Sequence, residues 1–135
     1  MTTNLITVNP QDKLEKVKAI FDEHNIHHLP VVRYKEIVGI ISKTDLLYFL
    51  KGLGDDQYQA VLNTARLKNY NADQIMTTGL AKLESTDRIN VALEVFKTNL
   101  FHAIPIVDND ELVGILTTYD IIDELSREEV NLNSY

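Results

Sequence analysis

The sequence predicts an α/β fold, of the α+β type, built from two copies of one β-α-β-β-α unit. Residues 1–47 align without a gap on residues 76–122. Apolar residues in both copies switch between helical and strand spacing in the same order. Each copy also carries a proline and a glycine at matching places. Because there are only two copies, we expect a pseudo-twofold pair and not a solenoid.

The repeat also predicts how the chain is organised. Fourteen of the 47 aligned pairs are identical, and eleven of the other 33 exchange one aliphatic residue for another. The second copy has "NADQI" ahead of its methionine, whereas the first copy begins abruptly. We therefore expect that the first copy lacks its leading segment, either because the chain is a fragment of a longer protein or because its start is native and short. The predicted parts are repeat 1 over 1–50, a helical connector over 51–71, repeat 2 over 72–127, and a solvated tail over 128–135.

Each copy is predicted to open with a short strand, over residues 5–8 or 80–83. Asn9 and Pro10 then predict a helix start, because asparagine is a good N-cap and proline suits the first helical position. The apolar residues that follow have the spacing of one helical face. They are Leu14, Val17, Ile20 and Phe21 in the first copy, and Ile89, Ala92, Val95 and Phe96 in the second.

Two apolar strands around a polar turn come next in each copy, and a second helix completes the unit. The strands are "LPVVR" and "IVGIIS" in the first copy, and "IPIVD" and "LVGILT" in the second. Pro30 and Pro105 are placed at strand starts, where a missing N–H costs least. Gly39 and Gly114 predict a bulge or a close backbone approach.

The segment between the copies is too apolar for a solvated linker. Gly52 and Gly54 are expected to end the preceding helix, and "DDQYQAVLNTARLKNY" has helical composition. We expect a connecting helix that packs either on the core or on a second subunit. Its apolar residues are Tyr58, Val61, Leu62, Ala65 and Leu67.

Composition excludes several classes of protein. The chain has 135 residues, of which 44% are hydrophobic and none is cysteine, so disulfides and thiolate chemistry are absent. No apolar run reaches the length of a membrane span, and the N-terminus lacks a signal-peptide pattern. A net charge of −7 argues against nucleic-acid binding, which depends on clustered Lys and Arg. No nucleophile motif or Walker loop is found, so we expect a protein that is not an enzyme. The lack of cysteine, of a membrane span and of a signal-peptide pattern leads us to expect a cytoplasmic protein.

One motif recurs with its chemistry intact: "GIISKTDLL" at 39–47 and "GILTTYDII" at 114–122. With the strand and proline pattern before it, each copy resembles a CBS domain, the module named after cystathionine β-synthase, and the two together resemble a Bateman module. The resemblance implies two repeats packed sheet to sheet around two clefts. It also implies a regulatory module that binds AMP, ADP, ATP or S-adenosylmethionine, often as a homodimer, and controls an attached or separate effector protein.

The hydroxyl and aspartate of this motif allow two interpretations. In the first, Ser42 and Thr117 cap a helix N-terminus and Asp45 and Asp120 complement it, as in a capping box. In the second, each carboxylate accepts the two hydroxyls of a ribose, and the hydroxyl and free helix N–H groups contact a phosphate. The resemblance matches Asp45 and Asp120 to the family's ribose-binding aspartates. One residue can serve both purposes.

The resemblance also implies an adenine pocket, for which core packing is the alternative. Its predicted residues are Leu5, Ile6, His28 and Leu29, and Leu80, Ala81, Ala103 and Ile104. The cluster "HNIHH" does not predict a metal site, because its histidines straddle a helix end and a strand start. His27 recurs as His102, which indicates a shared structural role. The remaining functional alternative is a module with empty clefts that serves dimerisation and assembly.

Overall fold

A computed structural model describes residues 3–50, 57–98 and 102–128. The backbone forms two compact units, one of Ile6–Leu80 and one of Met1–Leu5 with Ala81–Tyr135. The described residues hold five α-helices and two antiparallel two-stranded sheets, which confirms the predicted mixed α and β class. None of the described helices combines the length and the apolar character needed to cross a membrane.

The elements of the two units follow the predicted order after their first strand. The first unit contains α1 (Leu14–Glu23), β1 (His28–Arg33), β2 (Glu36–Ser42), α2 (Lys43–Leu50) and α3 (Gln57–Asn69), and a 3₁₀ turn at Ala72–Gln74. The second unit contains α4 (Ile89–Thr98), β3 (Ala103–Asp108), β4 (Glu111–Thr117) and α5 (Thr118–Ser126).

Each sheet is a hairpin closed by a two-residue turn. Tyr34 and Lys35 have φ of 51° and 73°, and Asn109 and Asp110 have φ of 51° and 64°. Two successive left-handed residues form a type I′ turn, whose twist matches that of the flanking strands. The second turn has residues that tolerate this conformation, whereas Tyr and Lys in the first turn do not favour it.

The predicted bulge is present in the first sheet. Val31 pairs with Gly39 but Val32 pairs with Ile37, so Val38 is an extra residue. The second sheet has the same shift between Ile106 and Val107, beside Gly114. Gly39 is also the predicted point of close approach, because a Cβ there would lie 2.5 Å from the Sδ of Met76.

The predicted strand over 5–8 is wrong. Only Val8 pairs with β1: its N–H donates to the Pro30 carbonyl at 3.0 Å, and its carbonyl accepts from the Val32 N–H at 2.8 Å. A parallel ladder could continue toward Ile6 only through an N–H at Pro30, which proline lacks. The strand is therefore reduced to a single bridge.

The predicted strand over 80–83 is wrong for the same reason. Leu83 makes an isolated bridge to Ile106. Its N–H donates to the Pro105 carbonyl at 3.1 Å, and its carbonyl accepts from the Val107 N–H at 2.7 Å. Pro105 again lacks the N–H that the next bond would need. Both prolines are the third residue of their strand, not its start.

The predicted helix start at Asn9 and Pro10 is also wrong. Asp12 accepts a hydrogen bond from the Asn9 N–H at 2.8 Å, and the Asn9 side chain accepts from the Gln11 N–H at 3.0 Å. These bonds close a separate turn, a conformation that Asn and Asp side chains stabilise locally. The helix begins four residues later, at Leu14.

The first unit has the larger described core. Leu14, Val17 and Phe21 are buried, as the helical spacing predicted, and they join Leu29, Val31, Ile41 and Ala72 in one cluster. The second cluster consists of Ala92, Ile104 and Ile106, with Val95 and Phe96 packed against it. Ile89 was expected on this face, but its side chain is 58% exposed.

The connector packs on the first unit, as one of the two alternatives predicted. Leu67 contacts the first core, and the Arg66 guanidinium lies 5.8 Å from the ring centre of Phe49 and donates to its carbonyl at 3.3 Å. The Tyr70 ring meets the Phe49 ring edge-on at 5.1 Å. Gly52, Gly54, the side chain of Tyr58 and tail residues 129–135 lie outside the described residues.

Candidate functional site

The motif of the first repeat lies where β2 passes into α2. The Ser42 hydroxyl accepts a hydrogen bond from the Asp45 N–H at 2.9 Å, and Asp45 Oδ2 accepts from the Ser42 N–H at 3.2 Å. Both residues are half-buried. This reciprocal pair is a capping box, so the capping interpretation is confirmed for the first motif.

The motif of the second repeat has the same geometry between β4 and α5. The Thr117 hydroxyl accepts from the Asp120 N–H at 3.1 Å, and Asp120 Oδ2 accepts from the Thr117 N–H at 2.9 Å. Thr117 and Asp120 are also half-buried. The two copies of the repeat thus form the same arrangement, and all four residues of the two motifs are half-buried.

The carbonyl groups of His27 and His102 were not expected to belong to these sites. The His27 carbonyl accepts from the Lys43 N–H at 2.9 Å, and the His102 carbonyl accepts from the Thr118 N–H at 3.0 Å. The matched role predicted for the two histidines is therefore a backbone role. The signal in the sequence was their recurrence, which did not show which atom was used.

These bonds correct the expectation of several free N–H groups at each helix start. The first N–H is bound by the histidine carbonyl and the third by the hydroxyl of the motif. Of the first three N–H groups of each helix, only the second has no partner among the described residues. It belongs to Thr44 in α2 and to Tyr119 in α5. Both Thr44 and Tyr119 are exposed.

Each carboxylate keeps one oxygen outside the cap. In the described part of the chain, Oδ1 of Asp45 and Oδ1 of Asp120 accept no hydrogen bond, because each cap uses Oδ2. A hydroxyl that accepts a bond through oxygen also keeps its own proton to donate. Each motif therefore offers one open carboxylate oxygen and one hydroxyl donor to a polar ligand.

The other predicted residues differ in what they can offer. His28 lies directly opposite Ser42 across the hairpin, and Ala103 lies opposite Thr117. Leu29 and Ile104 are 0% and 1% exposed, so their side chains belong to the cores. The half-buried members of the predicted set are Leu5, Ile6, His28, Leu80 and Ala81.

The structure distributes these residues between its two units. Ile6, His28, Leu29, Ser42, Asp45 and Leu80 belong to the first unit, and Leu5, Ala81, Ala103, Ile104, Thr117 and Asp120 belong to the second. Sequence analysis missed why Leu80 joins the first unit. The Thr77 N–H and carbonyl bond to Ile40 at 2.8 and 3.0 Å, which attaches the leading segment of the second repeat to β2.

Comparison with known families identifies both repeats. The CBS domain model matches residues 1–52 and residues 72–127. Among curated proteins, the chain is 29% identical over 126 residues to the uncharacterised protein MJ1225 of Methanocaldococcus jannaschii. It is 28% identical over 120 residues to inosine-5′-monophosphate dehydrogenase of Thermoplasma acidophilum. These matches cover 90% and 88% of the chain, but only 44% and 21% of the two relatives.

Solved structures with the same fold include a nucleotide complex. The crystal structure of MJ1225, described as a candidate archaeal homologue of g-AMPK, superposes with a TM-score of 0.76 at 25% identity and covers 93% of this chain and 45% of its own. CBSX2 in complex with AMP superposes with a TM-score of 0.74 at 22% identity, and covers 93% of this chain and 92% of its own. At that identity the likeness of CBSX2 shows the fold.

Proposed function

The chain belongs to the CBS domain family, as a CBS-pair regulatory module, and on this premise we propose that it senses an adenosine-type ligand. The ligand is AMP, ADP, ATP or S-adenosylmethionine, bound at the duplicated motif of the CBS repeats. The observation that carries this proposal is the duplicated motif, in which the capped carboxylate keeps Oδ1 open in both repeats.

Asp45 and Asp120 are the proposed ribose-binding residues. Each Oδ1 accepts one ribose hydroxyl, and Oδ2 accepts the other while it keeps its backbone bond, because a carboxylate oxygen has two lone pairs. The cap holds the carboxylate in place before the ligand arrives, so little side-chain freedom is lost on binding. This division explains why the same aspartate serves helix and ligand.

Ser42 and Thr117 are the proposed donors to the phosphate or another polar group of the ligand. Each hydroxyl already accepts from the helix and donates its own proton outward. The one remaining N–H, at Thr44 or Tyr119, lies at the positive end of the helix dipole. Leu5, Ile6, His28, Leu80, Ala81 and Ala103 remain the proposed contacts of the base, together with the backbone of Leu29 and Ile104.

Regulation follows from a shift in population. A ligand that binds one arrangement of the module more tightly favours that arrangement by its difference in affinity. The AMP complex of CBSX2 supports the ligand class by analogy of fold. The proposed target is an effector protein in the cytoplasm, attached or separate.

The ligand can be identified by thermal unfolding of the purified chain. AMP, ADP, ATP, S-adenosylmethionine and NAD are each compared with GMP, and the active compound is then compared with its 2′-deoxy form. A specific ligand at about 100 times its Kd adds about 2.7 kcal/mol, which raises the midpoint by several degrees. No shift with any adenosine compound, or equal shifts with GMP, would contradict the proposal.

Dimerisation and assembly is the second candidate function, and exposed apolar side chains favour it. On α2, Leu47 is 58% exposed and Tyr48 is 81% exposed, and on α3, Val61 is 66% exposed. Sedimentation velocity of the parent and of Tyr48→Glu tests it. A homodimer that Tyr48→Glu dissociates supports this function, and Tyr34→Glu is the matched control because Tyr34 is 96% exposed at a hairpin tip.

A further inference from the structure

An open groove lies on the second unit, away from Thr117 and Asp120. It has a volume of about 230 Å³ between the turn that precedes α4, the helix itself and the hairpin. Neither residue of the motif lines it. The apolar side chains that line it are Leu83, Ile89, Ala92, Ile106 and Leu116.

The equivalent face of the first unit is covered by the chain itself. Three backbone hydrogen bonds attach the segment that follows α3: the Leu14 N–H donates to the Tyr70 carbonyl at 3.0 Å, the Ala72 N–H to the Asp12 carbonyl at 2.8 Å, and the Asp73 N–H to the Pro10 carbonyl at 3.1 Å. Ala72 is 0% exposed and belongs to the first core. An extended segment thus completes this face.

The second unit offers the same three backbone groups, and no segment among the described residues covers them. The offset of the repeat places Ser85, Asp87 and Ile89 where the first unit has Pro10, Asp12 and Leu14. In residues 3–50, 57–98 and 102–128, the Ser85 and Asp87 carbonyls and the Ile89 N–H make no hydrogen bond. Two acceptors and one donor are therefore arranged for a peptide backbone.

The side chains of the groove agree with this comparison. Leu14 is 0% exposed under its covering segment, whereas its counterpart Ile89 is 58% exposed. Ala92 replaces Val17 and is two carbon atoms smaller, which widens the groove. The exposed Ile89 side chain and the unpaired backbone groups beside it show that this face lacks the cover that the first unit has.

We propose that this groove binds an extended segment of a partner protein with the chemistry of residues 70–75, "YNADQI". The chain's own copy of that segment is already bound to the first unit. A small residue of the segment enters the groove, in the position that Ala72 occupies in the first unit. The segment's carbonyl accepts from the Ile89 N–H, and its next N–H groups donate to the carbonyls of Asp87 and Ser85. The covered face of the first unit is the template for every contact.

A peptide titration followed by NMR tests the proposal on the full ¹⁵N-labelled chain. The probe is an acetylated and amidated peptide of sequence KNYNADQIM, a copy of residues 68–76. Saturable shifts are expected at the amides of residues 83–92, with the largest downfield change at Ile89, because its N–H gains an acceptor. NMR detects the millimolar affinity expected of a short peptide that must be ordered on binding.

Two controls make the result decisive. A peptide with proline in place of the central alanine should cause no saturable shift, because proline lacks the N–H that is proposed to donate to the Asp87 carbonyl. The Ile89→Glu protein should keep its spectrum elsewhere and lose the response, because Ile89 is exposed and an acidic residue is favourable at a helix start. Absence of shifts at millimolar peptide, shifts confined to residues 6–80, or equal shifts with the proline peptide would each overturn the proposal.

Discussion

The capped aspartate is the residue-scale feature on which both the helix start and the proposed ligand binding depend. In each repeat one carboxylate oxygen binds the backbone three residues earlier, and the other remains open. Sequence reasoning predicted these pairs because the [ST]-x-x-D spacing was duplicated. It could not predict that the histidine carbonyls bind the first helix N–H, since backbone acceptors leave no trace in residue type.

Removing the hydroxyl of either motif should weaken its helix. Ser42→Ala and Thr117→Ala each lose the bond to the N–H three residues later, and the expected cost is about 0.5–2 kcal/mol of unfolding free energy. Urea unfolding measures it. Thr44→Ala is the control, because Thr44 is exposed and makes no described side-chain bond. Equal stability of Ser42→Ala and the parent would show that the cap is not formed.

Asp108 gives the chain a defined response to acid. Hydrogen bonds from the Ser85 hydroxyl and then from the Ser85 N–H hold the pKa of Asp108 below its ordinary value of 3.8. A lowered folded-state pKa stabilises the fold above the ordinary value, and this contribution is lost as the pH falls through the lowered value. The first repeat has Arg33 at the position equivalent to Asp108, so the Ser85–Asp108 pair occurs in the second repeat alone.

Ser85→Ala should therefore destabilise the chain at neutral pH and have a smaller effect in strong acid. The urea midpoints of the parent and the variant are compared at about pH 7 and at a series of lower pH values, and the difference should shrink as the pH falls through the lowered pKa of Asp108. Thr86→Ala, a neighbouring exposed substitution, controls for the loss of a hydroxyl. A difference that stays constant with pH would contradict the assignment.

At the scale of elements, periodicity predicted helices and hairpins, and local turn chemistry decided their ends. Leu14, Val17 and Phe21 are buried on one helical face as expected. The predicted short strands over 5–8 and 80–83 do not form, because Pro30 and Pro105 cannot extend a parallel ladder. The expectation that Ile89 is buried was wrong, because helical spacing identifies an apolar face but not whether a neighbouring segment covers it.

The first hairpin should gain stability from better turn residues. Tyr34 and Lys35 both adopt left-handed φ, which costs a residue with a Cβ about 1–2 kcal/mol. Replacement by Asn-Gly, the preferred pair of a type I′ turn, should raise the unfolding free energy by about 1 kcal/mol or more. Asp110→Gly in the second turn should gain less, because Asn109 and Asp110 already suit it. A loss of stability in the first turn would contradict the assigned turn type.

Gly39 should not tolerate a side chain. A Cβ there would lie 2.5 Å from Sδ and 3.0 Å from Cβ of Met76, so rotation of the methionine cannot relieve the whole clash. Gly39→Ala should cost about 1–3 kcal/mol, the usual range for overpacking. In a double-mutant cycle, Met76→Ala should recover part of that loss. Additive effects of the two substitutions would show that the residues are not in contact.

At the scale of the whole molecule, two units of similar construction carry two copies of one capped motif. The chain spans 44% of MJ1225 and 21% of the Thermoplasma dehydrogenase, so what those longer proteins do is not transferred to it. Duplication makes the central claim testable inside one chain. In the part of the chain that the structure describes, four aspartates accept a bond from the N–H three residues earlier, at positions 12, 45, 87 and 120, and two of them lie in the motif.

The most direct measurement is calorimetric titration of the adenosine compound found by thermal unfolding into four single variants. Asp45→Asn and Asp120→Asn remove the charge and the open oxygen of the motif, whereas Asp12→Asn and Asp87→Asn make the same change in a turn outside it. Charge-assisted hydrogen bonds contribute about 1.5–3 kcal/mol each, so we expect each motif variant to raise the Kd of its own site by about tenfold to a hundredfold. The turn variants should bind as the parent does. Parental affinity in both motif variants would contradict ribose binding and leave the two aspartates as helix caps.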